Sequence, residues 1–256
     1  MSKPLVSRYI YLGCYFFCVA LPLTACVSAD TGPISQEILQ RVDAYRGPSE
    51  QFTMSLRLTS FEGSAIAETA LFDVYVSGKD KTLVVARKYR TQDMRILYVE
   101  DNMWVHVPNS RRPIRITPIQ RLIGQASNGD VVEVSYSQNY MAENAGLDTL
   151  SGVPCLRLRL EARRKSATYR TIVLWVRQDD DRPVKAEFYL VSRKQLKTAY
   201  FEKYAEIRGK PILTQMTIYD EVRKQSRTTF EYSHIEPRIL PAKYFNKDYL
   251  VHVRGL

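Results

Sequence analysis

The sequence is poor in the residues that staple small exported domains and in those that enzymes use for chemistry. Of its four cysteines, Cys14 and Cys18 fall in an apolar N-terminal run and Cys26 closes it, which leaves Cys155 alone in the rest of the chain. A lone cysteine makes no internal disulfide, so the fold must be held by its core. Cys155 itself sits in an alternating apolar strand and reads as inert packing rather than as a nucleophile. The three histidines, His106, His234 and His252, show no metal-ligand spacing. There is no G-x-S-x-G elbow and no phosphate-cradling glycine loop. Asp179, Asp180 and Asp181 precede Arg182-Pro183 and read as a solvated turn. These absences argue against an enzyme and leave no catalytic residue, metal or cofactor to name. No motif recurs at a fixed spacing, which excludes a repeat array. No long Pro, Ser or Gly stretch divides the chain, so one domain is expected.

Negative charge is also in deficit. Against 37 Lys and Arg stand 27 Asp and Glu, a formal net charge of +10. Such a balance would suit nucleic acid or an anionic membrane surface, and the N-terminus decides between them. MSKPLVSRYIYLGCYFFCVALPLTACVSAD has a positive start at Lys3 and Arg8, an apolar run from Tyr9 to Leu23 and small residues after it, the three parts of an export signal. Leu23-Thr24-Ala25-Cys26 looks like a bacterial lipobox, in which Cys26 is acylated and becomes the mature first residue. Val27-Ser28-Ala29 before Asp30 offers the competing cut of an ordinary signal peptidase. The first reading makes residues 1–25 a lipoprotein signal and 26–34 a tether, and puts a lipid-anchored protein in the bacterial envelope, facing the periplasm from the outer membrane. The second leaves it soluble in the periplasm. Either location removes nucleic acid as a partner. Lys3 and Arg8 are the only charges that removal of the signal would take away, so the positive balance survives.

From residue 35 the pattern is that of a domain. SQEILQRVDAYRG carries Ile38, Leu39, Val42 and Tyr45 on one helical face, with Ser35 as N-cap and Gly47-Pro48 as stop. The period then changes to two. FTMSLRLTSF sets Met54, Leu56 and Leu58 against Thr53, Ser55 and Arg57, and similar strands follow, separated by turn-forming clusters. MWVHV, PNSRR and PIRIT form a strand, a turn and a returning strand, with the arginines at the rim. In the middle, Ile119, Leu122 and Ile123 are spaced as on a helix from Pro118 to Ser127, and NGD offers a second helix start. Strands resume with CLRLRLEA, in which Leu156, Leu158 and Leu160 alternate with charge. The expected fold is mainly β with a few helices (α+β), an antiparallel sheet of about eleven strands over residues 35–256. A sheet this two-faced must cover its apolar side, either by closing as a barrel or by enclosing a greasy cavity under a helical lid.

EILQRVDAYR, MWVHVPNSRRPIRITP, LIGQASNGDVVEVSYSQNY, SGVPCLRLRLEAR, YRTIVLWVRQDDDRPVKAEFY and LPAKYFNKDYL, in this order, resemble the outer-membrane lipoprotein-sorting proteins of the LolA/LolB-like group. The resemblance implies an incomplete antiparallel barrel closed by helices around an apolar cavity that accepts the acyl chains of a lipoprotein or another lipid. It implies an inner-membrane transporter or an outer-membrane acceptor as partner. Some relatives are encoded with lipid exporters, and one acts as an envelope sensor. In the soluble carriers a cavity arginine holds the lid. Arg87 and Arg95 lie in the corresponding region, neither in a matching local motif. The lipobox brings the chain closer to the anchored receptors. With strand alternation, this makes Met54, Leu56, Leu58, Phe72, Val74, Ile96, Trp104, Leu156, Leu158 and Leu174 the expected cavity lining, and Ile119, Leu122 and Ile123 the underside of the lid.

Overall fold

The computed structural model describes residues 33–256 apart from 134, 224 and 255, so the export signal, the tether to residue 32 and Cys26 lie outside the described residues. The chain opens with α1 (Pro33–Asp43) and a short 3-10 turn, Ala44–Arg46. Six strands follow: β1 (Gln51–Glu62), β2 (Ala65–Ser77), β3 (Lys81–Lys88), β4 (Arg95–Val99), β5 (Asn102–His106) and β6 (Ile114–Ile116). A hairpin, β7 (Arg121–Ile123) and β8 (Ala126–Ser127), leads into α2 (Asn128–Val132) and α3 (Tyr136–Asn139). The second strand series is β9 (Tyr140–Leu150), β10 (Val153–Ala162), β11 (Thr171–Arg177), β12 (Pro183–Tyr189), β13 (Gln195–Ile207), β14 (Lys210–Asp220) and β15 (Ser226–Pro237). Two 3-10 segments, Ala242–Phe245 and Lys247–His252, end it.

Thirteen strands form one antiparallel sheet in the order β6-β5-β4-β3-β2-β1-β15-β14-β13-β12-β11-β10-β9. Chain neighbours are sheet neighbours throughout, except where β15 returns to pair with β1. A sheet of this width must curl, but β6 and β9 are its edges and do not pair with each other. The incomplete barrel expected from the sequence is therefore what forms. Residues 117–139 run from one free edge to the other, and the hairpin, α2 and α3 lie within this stretch as a plug.

Register explains the inner face. Met54, Val74, Val84, Ile96 and Val105 stand opposite one another across five strands. A second row runs Leu158, Leu174, Ala186, Ala199 and Ile218, then ends on Thr228 and Ser60. These apolar residues join one core with Ile38, Leu39 and Val42 of α1 and Leu122, Ile123, Val131 and Val132 of the plug. On the outer face Tyr75, Leu83, Val85 and Leu97 form a separate cluster, covered by Phe245, Leu250 and Val253 of the C-terminal strap.

Three expectations are corrected here. The stretch 118–127 is a hairpin rather than a helix. Gly124 adopts φ +52° between β7 and β8, a left-handed conformation that suits a turn and not a helix interior. A Cβ there would also sit 2.3 Å from Ser60 Oγ and 2.4 Å from Thr228 Oγ1. Short apolar runs fit either period, and the turn decided this one. The sheet also has thirteen strands against about eleven expected: the short β6 adds one, and β9 was not legible, since YMAENAGLDTL has little alternation and Gly146 at φ +99° interrupts it. α1 begins at Pro33, which puts Ser35 inside the helix instead of at its cap.

Candidate functional site

The candidate site is the inner face of the curled sheet and the plug seated on it. Of the expected lining residues, Met54, Leu56, Leu58, Phe72, Val74, Ile96, Leu158 and Leu174 are buried in the inner core, and Leu156 is half-buried against it. Trp104 is not among them. Its neighbours Met103 and Val105 pack inward, so the pleat sends Trp104 to the outer cluster. Leu122 and Ile123 are buried, whereas Ile119 is 41% exposed in the turn before the hairpin. Arg87 pairs with Asp73 and donates to Leu256 O, and Arg95 Nη1 lies 3.1 Å from His106 Nδ1; both belong to the outer face. Neither is an internal arginine.

These walls and the plug are buried together in one cluster. The chamber under the plug is about 20 Å³, room for about one water. Its lining combines Ile172, Phe188, Met216 and Ile218 with Arg46, Asp130, Glu133, Tyr136 and Tyr169. This chamber is thus small and partly polar, rather than a wide apolar cavity.

The plug is attached in an unusual manner. Lys197 of β13 shares the inward register of Ala199 and Phe201, and its Nζ donates to Asp130 Oδ2 at 3.0 Å, Ser127 Oγ at 3.1 Å and Tyr169 OH at 3.0 Å. All three ammonium donors are satisfied. Asp130 of α2 also accepts from Tyr169 OH at 2.6 Å and from Ser127 N and Oγ. The side chains of Lys197 and Asp130 are only 8% and 4% exposed. Glu133, just after α2, accepts from Thr168 N at 3.0 Å and from Thr168 Oγ1. Burial raises its carboxyl to about 7 against the pull of those hydrogen bonds. Burial likewise raises Asp43, although Ser135 Oγ, Tyr136 N and Ser137 N all donate to it and so tie α3 to α1.

Further hooks have the same character. Tyr89 OH donates to Leu122 O, Thr82 Oγ1 donates to Val132 O, and Thr228 Oγ1 accepts from Gln125 N. Gly129 is fixed by this packing, since a Cβ on it would lie 1.8 Å from Thr168 Oγ1. Sequence reasoning missed Lys197, Asp130, Glu133, Thr168 and Tyr169. One signal was available: LKTAYF places a lysine on the side of the strand that Ala199 and Phe201 mark as interior.

The comparisons agree with this architecture. A family model described as "Uncharacterized protein" matches residues 78–252. A LolA superfamily protein from Nitrosomonas europaea superposes with TM-score 0.79 at 29% identity, over 84% of this chain and 98% of its own. A DUF1329 family protein from Desulfovibrio piger and a Vibrio parahaemolyticus domain named for outer membrane lipoprotein sorting each give TM-score 0.72. They are 22% and 19% identical, over 85% of this chain and 98% of theirs, and show the same fold. No curated protein matches the sequence. The chain belongs to the family matched over residues 78–252, and its open thirteen-stranded sheet with an inserted plug is a LolA-like fold.

Proposed function

We propose that the protein carries or accepts acylated lipids, lipoproteins among them, in the bacterial envelope, holding acyl chains non-covalently where the plug now sits. The observation that carries this reading is the manner of closure. An interior of aliphatic and aromatic side chains is shut by a segment that adds Leu122, Ile123, Val131 and Val132 to it and is positioned by hydrogen bonds and one buried ion pair. Polar contacts of this kind can be exchanged for water when the segment swings out, and the apolar surface it uncovers can be covered again by an acyl chain. The magnitudes permit the exchange. Opening exposes Leu122, Ile123, Val131 and Val132, each worth about 1.5–3 kcal/mol of burial, and each methylene that takes their place returns about 0.8 kcal/mol. Roughly 8–15 methylenes therefore offset the plug's apolar burial, which one or two ordinary acyl chains supply.

In this reading Met54, Leu56, Leu58, Phe72, Val74, Ile96, Leu156, Leu158 and Leu174 become the acyl-chain walls, and Leu122 and Ile123 leave with the plug. Anchoring through acylated Cys26 belongs to the same proposal, and loss of palmitate labelling in Cys26→Ala would support it. The names of the Nitrosomonas and Vibrio relatives point the same way. A chamber of about 20 Å³ favours a second reading, an envelope sensor or scaffold that uses the fold for protein contacts. Native mass spectrometry of gently purified protein separates the two. Co-purifying acylated lipid supports the carrier; a stable protein partner with no lipid rejects it.

A further inference from the structure

The seam where the barrel fails to close has a chemistry of its own. Along one side run Arg115 and Ile116 of β6 and the turn Thr117–Ile119; along the other runs the β10–β11 connection, residues 163–170. Between them lies an open groove of about 740 Å³, within the range of small-ligand sites. Ile116, Pro118, Ile119, Ala167, Leu190 and Val191 give it an apolar floor and lip. Two of these are unusually bare: Ile119 is 41% exposed and Val191 84%. Its rim carries Arg115, Arg164, Lys165 and Arg170 against the single carboxylate of Asp101. Asp101 is already engaged by Arg164 at 3.1 Å and by Ser166. Arg170 reaches Glu161 only at 3.9 Å, and Lys165 has no ion-pair partner among the described residues. The groove thus offers surplus positive charge above exposed aliphatic surface.

The same groove shares a wall with the interior. Thr168 and Tyr169 line both it and the chamber under the plug. They are also the residues that hold Glu133 and Asp130.

We propose that this seam binds an anionic phospholipid at the membrane surface. The phosphate would sit among Arg164, Lys165 and Arg170, and an acyl chain would lie along Ile119 and Val191, beside the plug's attachment. The proposal rests on the carrier reading only for where that chain goes next. A zwitterionic headgroup offers no net negative charge to the rim, and a soluble phosphate offers nothing to the apolar lip, so both features together select an anionic amphiphile.

The test is co-sedimentation with phosphatidylcholine vesicles, with and without phosphatidylglycerol, alongside uptake of an uncharged fluorescent fatty alcohol from solution. Binding to the anionic vesicles should exceed binding to the neutral ones and weaken with salt. Each basic residue removed should weaken it about fivefold, so Arg164→Gln/Lys165→Gln/Arg170→Gln should lose roughly 100-fold. Arg208→Gln/Lys210→Gln, at the opposite end of the sheet, removes two charges and should lose far less than Lys165→Gln/Arg170→Gln. Val191→Ser should weaken vesicle binding without altering its salt dependence. Circular dichroism checks that these surface variants fold. Equal losses from both double variants would overturn the site in favour of diffuse charge, and competition by glycerol phosphate alone would reduce it to a phosphate site. Failure to bind anionic vesicles with fatty alcohol still taken up sinks the seam and spares the carrier. Vesicle binding without uptake does the reverse.

Discussion

The two faces of the same strands are covered in opposite ways. Along β3 and β4, Val84 and Ile96 point in, beneath the plug, while Leu83 and Leu97 point out, beneath the C-terminal strap. The strap is held mainly by apolar packing: Phe245, Leu250 and Val253 pack on Tyr75, Leu83, Val85 and Leu97, with Arg87 donating to Leu256 O at its end. Over the inner face the plug adds Leu122, Ile123, Val131 and Val132 to the core, but its position is set by Lys197, Thr168, Thr82, Thr228, Tyr89 and Asp43. Close packing has one good arrangement and resists partial opening. A set of hydrogen-bonded hooks has a second acceptable state, hydrated and open. The strap therefore reads as part of the scaffold and the plug as its movable part.

The sharpest way to break this contrast is at the latch. Lys197→Ala leaves Asp130 buried without its cation and should destabilise plug closure by about 3–5 kcal/mol. That loss should appear as faster amide exchange in residues 128–139, with the sheet's slowest amides little changed. Lys197→Met combined with Asp130→Asn should recover part of it, because the amide removes the unpaired charge and keeps an acceptor for Tyr169 OH and Ser127. A loss of sheet protection equal to that of the plug would erase the distinction. Leu250→Ala comes next, at about 3 kcal/mol for a fully buried leucine. Here the loss should be global, lowering the urea midpoint while exchange in the plug and the sheet rises together.

The gentlest effect, unit for unit, is that of pH. Because the Glu133 carboxyl is held near 7 in the closed state and titrates at the ordinary carboxylate value of 4.5 when released, the closed state binds the extra proton between them. Closure is therefore favoured at low pH and weakens as pH rises from about 4.5 towards 7, by at most about 1.4 kcal/mol per pH unit. Glu133→Gln should flatten that slope, as read by plug exchange at several pH values. An unchanged slope would assign it to another group.

Alternation made the sheet legible and left the plug obscure. In CLRLRLEA the leucines announce the inner face, and Leu158 and Leu160 are fully buried there. Trp104 was expected on the inner face, but Met103 and Val105 take that side of β5 and the pleat sends it outward. The plug defeated sequence reading because its contacts are distant in the chain. Lys197 meets Asp130 across 67 residues and Ser135 meets Asp43 across 92, and no local period encodes either. Gly124 was visible in the sequence, but a glycine after Leu-Ile ends a helix as readily as it turns a hairpin.

The central claim is that the plug, and not the sheet or the strap, yields to lipid. Hydrogen–deuterium exchange of the protein, with and without an acylated lipid in the detergent-free complex, tests it most directly. The expected result is faster exchange in residues 121–139 on lipid binding, with the β1–β4 core and the 242–253 strap unchanged. Lipid bound while the plug stays as protected as before would contradict it.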